Sequence, residues 1–160
     1  MFTLRIEWKY VLKIPFHDRV HEVLHAFLRT SEQGEWTPNE EIPSDAFVLN
    51  YRRGRWQRRW FGRGEWLPEP WHSCFGDATR NAGLAPMELR ITLRPTPSEV
   101  TIGIYHFAYL RGGPTPYQKQ QKQADETALA HLVDSEVKAL AEYLREVYDL
   151  PEPPQIAEAD

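Results

Sequence analysis

His21-Glu22-Val23-Leu24-His25 is the one string in this chain whose residue types and spacing name a reaction. On a helix, two histidines four positions apart stand one turn apart on the same side, where their imidazoles can ligate zinc. The glutamate after the first can then act as general base on a metal-bound water. Such a hydrolytic centre needs a third protein ligand and one coordination position left for water. His17 extends the row at i, i+4, i+8. The other reading of the same residues is a set of boundary histidines whose rings lie partly buried along the edge of a core.

Either reading requires a helix. Val20, Val23, Leu24, Phe27 and Leu28 recur at i, i+3, i+4, i+7 and i+8, which predicts a helix over residues 17–29 with one apolar stripe. At about 100° per residue the histidine row borders that stripe, and Glu22 and Asp18 point further toward solvent.

Across these five residues the string resembles the zincin signature of metallopeptidases. The resemblance implies zinc as cofactor, His21 and His25 as metal ligands and Glu22 as the base. Asn39-Glu40-Glu41 follows at a spacing shorter than that of zincins with a glutamate ligand, and Pro43 interrupts the helix such a ligand would need, so the third ligand stays unassigned. Only one strand fits ahead of the motif helix, where enzymes of that type place several.

A second constellation is electrostatic. Arg52, Arg53, Arg55, Arg58, Arg59 and Arg63 put six positive charges into residues 51–63 with no acid among them, in a chain of net charge −4. Tyr51, Trp56, Trp60 and Phe61 interleave with them, and guanidinium groups among aromatic faces can bind phosphates and stack bases. The alternative is a solvated sheet face on which Arg and Trp stabilise one another by cation–π contact. A pI near 5.9 argues against the broad basic field of nucleic-acid binders. Weak anion or nucleic-acid binding is the resulting expectation, with a negatively charged protein equally compatible.

With 160 residues, 41% of them hydrophobic and 12% aromatic, the chain suits one domain with a single core. No stretch approaches the roughly 20 apolar residues of a membrane span, and the N-terminus alternates charged with apolar residues, unlike a signal peptide. The expected compartment is the cytoplasm. Cys74 is the only cysteine, which excludes an internal disulfide framework and any multi-cysteine zinc site; it reads as a buried or incidental thiol. There is no Gly-rich phosphate loop and no G-x-S-x-G elbow.

The positioning elements follow from periodicity. Phe2, Leu4, Ile6, Trp8, Tyr10, Leu12 and Ile14 occupy every second position, predicting one long strand with one buried face, ended by Pro15. Gly34 to Ser44 reads as a loop. Phe47 to Tyr51 and Arg55 to Phe61, separated by Arg53-Gly54, read as a hairpin. Residues 62–86 read as a long connection with a short strand around Trp71 to Phe75. Leu89, Ile91 and Leu93, then Pro95-Thr96-Pro97-Ser98, then Val100, Ile102 and Ile104, predict a second hairpin. A helix begins near Tyr117, and Leu129, Val133, Val137, Leu140, Leu144 and Tyr148 form its continuous stripe. Gln118 to Gln123 have little apolar content, so the first turns either project into solvent or fray.

This order of a long first strand, an early helix, antiparallel hairpins and a long last helix resembles the helix-grip arrangement of START-like ligand-binding domains. The resemblance implies an apolar ligand held between sheet and last helix, with Trp8, Tyr10, Tyr105 and Leu140 as lining residues. The combined expectation is one α+β domain over residues 1–150, an antiparallel sheet of five or six strands packed by an early short helix and a long C-terminal helix, followed by a disordered acidic, Pro-rich tail over 151–160. Its expected function is that of a binding or protein-interaction module without catalytic activity, its partner a protein or a small apolar ligand and not a membrane. Zinc-dependent hydrolysis at His21, Glu22 and His25 is the second reading.

Overall fold

A computed structural model of the chain describes residues 2–30, 35–58, 66–69, 71 and 82–159. In chain order the elements are β1 (Phe2–Pro15), α1 (Val20–Arg29), β2 (Thr37–Pro38), β3 (Val48–Arg53), β4 (Trp56–Arg58), β5 (Trp66–Pro68), a 3-10 turn (Ala82–Leu84), β6 (Met87–Pro95), β7 (Glu99–Gly112), α2 (Pro116–Val147) and β8 (Ala157–Glu158). Six strands form one antiparallel sheet in the order β2-β3-β6-β7-β1-β8, and β4 and β5 form a separate pair. The architecture is α+β, with a short early helix and a long C-terminal one. No helix among the described residues is long and apolar enough to cross a membrane.

Alternation sets which face of the sheet is buried. Trp8 lies opposite His106, Tyr10 opposite Ile104 and Leu12 opposite Ile102, so the even-numbered residues of β1 and β7 share a face. Ile91 beside Ile104 and Leu49 beside Ile91 bring the odd-numbered residues of β6 and β3 to the same side. On it lies α2, burying Leu129, Val133, Val137, Leu140 and Leu144, and α1 adds Val20, Leu24 and Leu28 to the same core. The expected stripe of α2 is therefore the core stripe, with Tyr148 half-buried just past its end.

Capping places the start of α2. Thr115 Oγ1 accepts from the Gln118 amide at 3.2 Å, the Gln118 side chain accepts from the Thr115 amide at 3.1 Å, and Pro116 fits the first turn. Gln118 to Gln123 are helical, fixed by this cap although they bury little.

Burial along β1 is graded. Leu12 and Ile14 are fully buried, the residues from Leu4 to Tyr10 on the same face are half-buried, and Phe2 is exposed. The β6–β7 hairpin forms as expected, its turn closed by Thr96 and Glu99. The hairpin expected between Phe47 and Phe61 does not. Gly54 turns the chain with φ +86, but out of the sheet: a Cβ there would come within 1.9 Å of the Ala85 carbonyl oxygen. The Arg55 amide then donates to Leu84, β4 pairs with β5, and β3 takes β2 and β6 as neighbours.

Two stretches expected to lack structure pair instead. The loop from Gly34 to Ser44 contains β2, whose Pro38 sits on the sheet edge, where a missing N–H is tolerated. The C-terminal tail lays Ala157–Glu158 against Tyr10 and Val11, the Ala159 amide donates to the Lys9 carbonyl at 3.0 Å, Pro154 is buried and Ile156 packs on the core. Apolar area in the tail and open ladder groups on β1 overcome its polar composition. Of the short strand expected at Trp71 to Phe75, Trp71 bridges Leu110, and the rest lies outside the described residues.

Candidate functional site

The histidine row is engaged in packing. His17 stacks on Tyr148 with ring centroids 3.8 Å apart, and His25 Nδ1 makes a hydrogen bond with the Tyr51 hydroxyl on β3. Burial pushes the Tyr51 phenol upward against the opposing pull of Arg29. His21 is part-exposed, its Nε2 4.0 Å from the Glu22 carboxylate, and Glu22 points to solvent. Among the described residues no three His, Cys, Asp or Glu side chains are grouped to hold a metal ion. The bond at Nδ1 leaves His25 Nε2 available, but with no third ligand grouped beside His21 and His25 the described residues do not make a catalytic zinc site.

The arginine cluster is divided by strand parity. Arg52 and Arg53 are neighbours on β3 and so project to opposite faces. Arg52 lies over the Trp56 ring at 4.5 Å and pairs with Glu41 at 3.3 Å. Arg53 enters the core, 5% exposed, where it pairs with Glu136 of α2 at 2.7 Å and lies 4.0 Å over Trp36. Arg55 is exposed; the side chain of Arg58 and all of Arg59, Arg63, Trp60 and Phe61 lie outside the described residues. The single anion-binding face expected of the six arginines is thus corrected at Arg53, which serves the interior.

Around Glu136 the core holds a polar cluster. Trp36 Nε1 donates to Glu136 Oε1 at 2.5 Å, and His106 Nε2 lies 3.8 Å from the same oxygen. Burial pushes the Glu136 carboxyl up, but His106 and Arg53 together outweigh it and hold the group down at about 2. The sequence reading missed Trp36, His106 and Glu136 as a group. A signal existed: Glu136 interrupts the apolar stripe between Val133 and Leu140, Arg53 keeps the parity of Leu49 and Tyr51, and His106 that of Ile102 and Ile104.

The four expected pocket residues do not converge. Leu140 borders an internal void of about 10 Å³ with His106, Glu136 and Val137, a space no larger than one water. Tyr105 has odd parity, so it stands on the opposite face of the sheet, across from Lys9 and Arg90 and against Gly103. Around Leu140 the interior between sheet and α2 is filled, among the described residues, by the helix's own stripe.

Trp8 and Tyr10 do line a cavity, an open groove of about 640 Å³ between β1 and α2. Its other wall is Gln123, Glu126, Thr127, Ala130, His131 and Asp134, a helical stripe adjoining the buried one. The Thr127 hydroxyl donates to the Gln123 carbonyl at 3.0 Å, within the helix. Its described lining contains two carboxylates and no Lys or Arg. Glu126 holds the part-buried Lys122 at 2.6 Å, and Asp134 holds the exposed Lys138 at 2.8 Å. The Tyr10 phenol is pushed up by burial, then by Asp134 and Glu158, against the pull of Lys138.

Trp8 and Tyr10 also border the outer edge of β1, beside Glu158 and Ala159 of the tail. Among the described residues that edge is paired by β8 alone, at Tyr10 and Val11. The Lys9 carbonyl points outward to Ala159, and the alternation of a strand turns the N–H and C=O of Thr3, Arg5 and Glu7 to the same side. Compared with protein-family models, with curated proteins and with solved structures, the chain matches none.

Proposed function

We propose that this chain is a non-enzymatic interaction module that takes up an extended segment of a partner protein as an added strand on the edge of β1 from Thr3 to Glu7, unpaired among the described residues, alongside α2. The observation that carries this reading is the chain's own tail: Ala157–Glu158 already adds to β1 in this way, and the edge from Thr3 to Glu7 continues beyond it. Strand addition supplies main-chain hydrogen bonds, and a groove beside the edge supplies selectivity for every second side chain. Here that groove is the 640 Å³ space walled by Trp8, Tyr10 and α2. A chain with a single cysteine suits the reducing cytoplasm as its place of action.

The test is amide hydrogen exchange with and without an extended peptide. Binding is expected to slow exchange at Thr3, Arg5 and Glu7 selectively. Glu7→Pro removes one outward N–H from an edge where proline is tolerated, and it should weaken binding about tenfold, the equivalent of one ladder bond. Protection confined to another surface, or binding indifferent to Glu7→Pro, overturns the reading.

A further inference from the structure

We infer that the segment accepted by this groove is basic, presenting a Lys or Arg side chain to the space between Trp8 and Tyr10 on one side and Glu126 and Asp134 on the other. The inference rests on the strand-addition reading and adds the chemistry of the partner. Trp8 and Tyr10 stand two residues apart on β1 and present ring surface to the groove. An added strand paired from Thr3 to Glu7 directs the side chain at its Trp8 end toward that ring, with β8 already holding the edge at Tyr10, and a cation over an aromatic face is attracted by the ring quadrupole.

Charge agrees with shape. The described lining holds the carboxylates Glu126 and Asp134 and no Lys or Arg, and the edge beside Trp8 and Tyr10 carries Glu7 and Glu158 against the cation Lys9. The lysine that neutralises Asp134 is held by a pair in solvent, where such contacts are screened and easily exchanged, and the part-buried Lys122–Glu126 pair is a single i,i+4 contact along the flank of α2. An incoming cation meets the same carboxylates with aromatic walls around it, so its pairing is less exposed than theirs. An acidic or phosphorylated segment would meet the same two carboxylates and could not replace Lys122 and Lys138 as their partners.

The test uses the full chain and a set of short peptides that alternate Thr with Lys, Thr with Glu, or Thr with Leu. Alternation places one residue type on the groove side in any register. Calorimetric titration is expected to show the Thr-Lys peptide binding at least about tenfold more tightly than the other two, with affinity falling as salt is raised. The double variant Glu126→Gln, Asp134→Asn should remove that preference while leaving the fold intact by circular dichroism, and Trp8→Ala should weaken the Thr-Lys peptide most. Equal or tighter binding of the Thr-Glu or Thr-Leu peptide overturns the basic preference; if that binding is still lost in Glu7→Pro, strand addition itself stands. Binding of the Thr-Lys peptide that survives Glu7→Pro but not the double variant overturns strand addition instead. Failure of all three peptides to bind overturns both.

Discussion

His25 illustrates how one side chain can belong to a catalytic string and still be used for structure. Its Nδ1 meets the Tyr51 hydroxyl, joining α1 to β3, whereas His21 is part-exposed beside Glu22. The two imidazoles of the motif should therefore respond differently to removal. His25→Ala strands a buried phenol and is expected to cost about 1–3 kcal/mol, while His21→Ala should stay within about 0.5 kcal/mol of wild type. Urea denaturation measures both, and elemental analysis of untagged protein supplies the opposing outcome: one zinc per chain, lost in either variant, would restore a metal role. Arg53 makes the same point in the core. Removing Glu136 alone takes a 2.7 Å carboxylate partner from the buried Arg53 guanidinium and should cost about 3–5 kcal/mol, whereas replacing both by apolar residues of similar size should recover most of that loss.

At the level of elements, the decisive contacts are those that divert a segment from its nearest neighbour in sequence. Gly54 sends the chain out of the sheet, and the tail returns to it. Deleting residues 152–160 removes buried Pro154, the packing of Ile156 and the β8 ladder. That deletion is expected to destabilise the protein by about 1–3 kcal/mol, and to speed amide exchange at Val11. It also opens the edge at Tyr10 and Val11, so affinity for an added strand should rise in the truncated chain. An unchanged unfolding midpoint would mean that the tail contributes no packing in solution. Much of this level was legible beforehand: the 2.0 period of β1, the Pro-Thr-Pro-Ser break between β6 and β7, and the stripe of α2 each state their element directly. The pairing of β3 with β2 and β6 was not, because a short strand of Thr37 and Pro38 has no period of its own.

For the whole molecule, the buried Glu136, held down by His106 and Arg53, ties stability to pH. The Glu136 carboxyl sits at about 2, below its ordinary value of 4.5, so the folded state favours its ionised form. That contribution is complete above about pH 4.5 and is lost as pH falls from there through about 2; a shift of this size corresponds to something on the order of 3 kcal/mol. Denaturation curves at neutral and acid pH should show wild type losing more stability than Glu136→Gln, and parallel losses would remove Glu136 as the cause.

What the sequence by itself determined is local: which residues alternate, which recur every third and fourth position, where proline ends a strand, and hence a long first strand, an early helix, a central hairpin and a long last helix on one sheet. Those follow from backbone geometry, in which side-chain direction depends only on position along the element. What only the tertiary structure decided is which stripes meet. Arg53 and Glu136, 83 residues apart, pair because β3 and α2 share a face; Trp8 and Tyr10 border a groove because the flank of α2 passes beside them; and Tyr105 is separated from both by the thickness of the sheet. Periodicity carries the direction of a side chain but not the identity of the surface it reaches, and a binding site is made of such meetings.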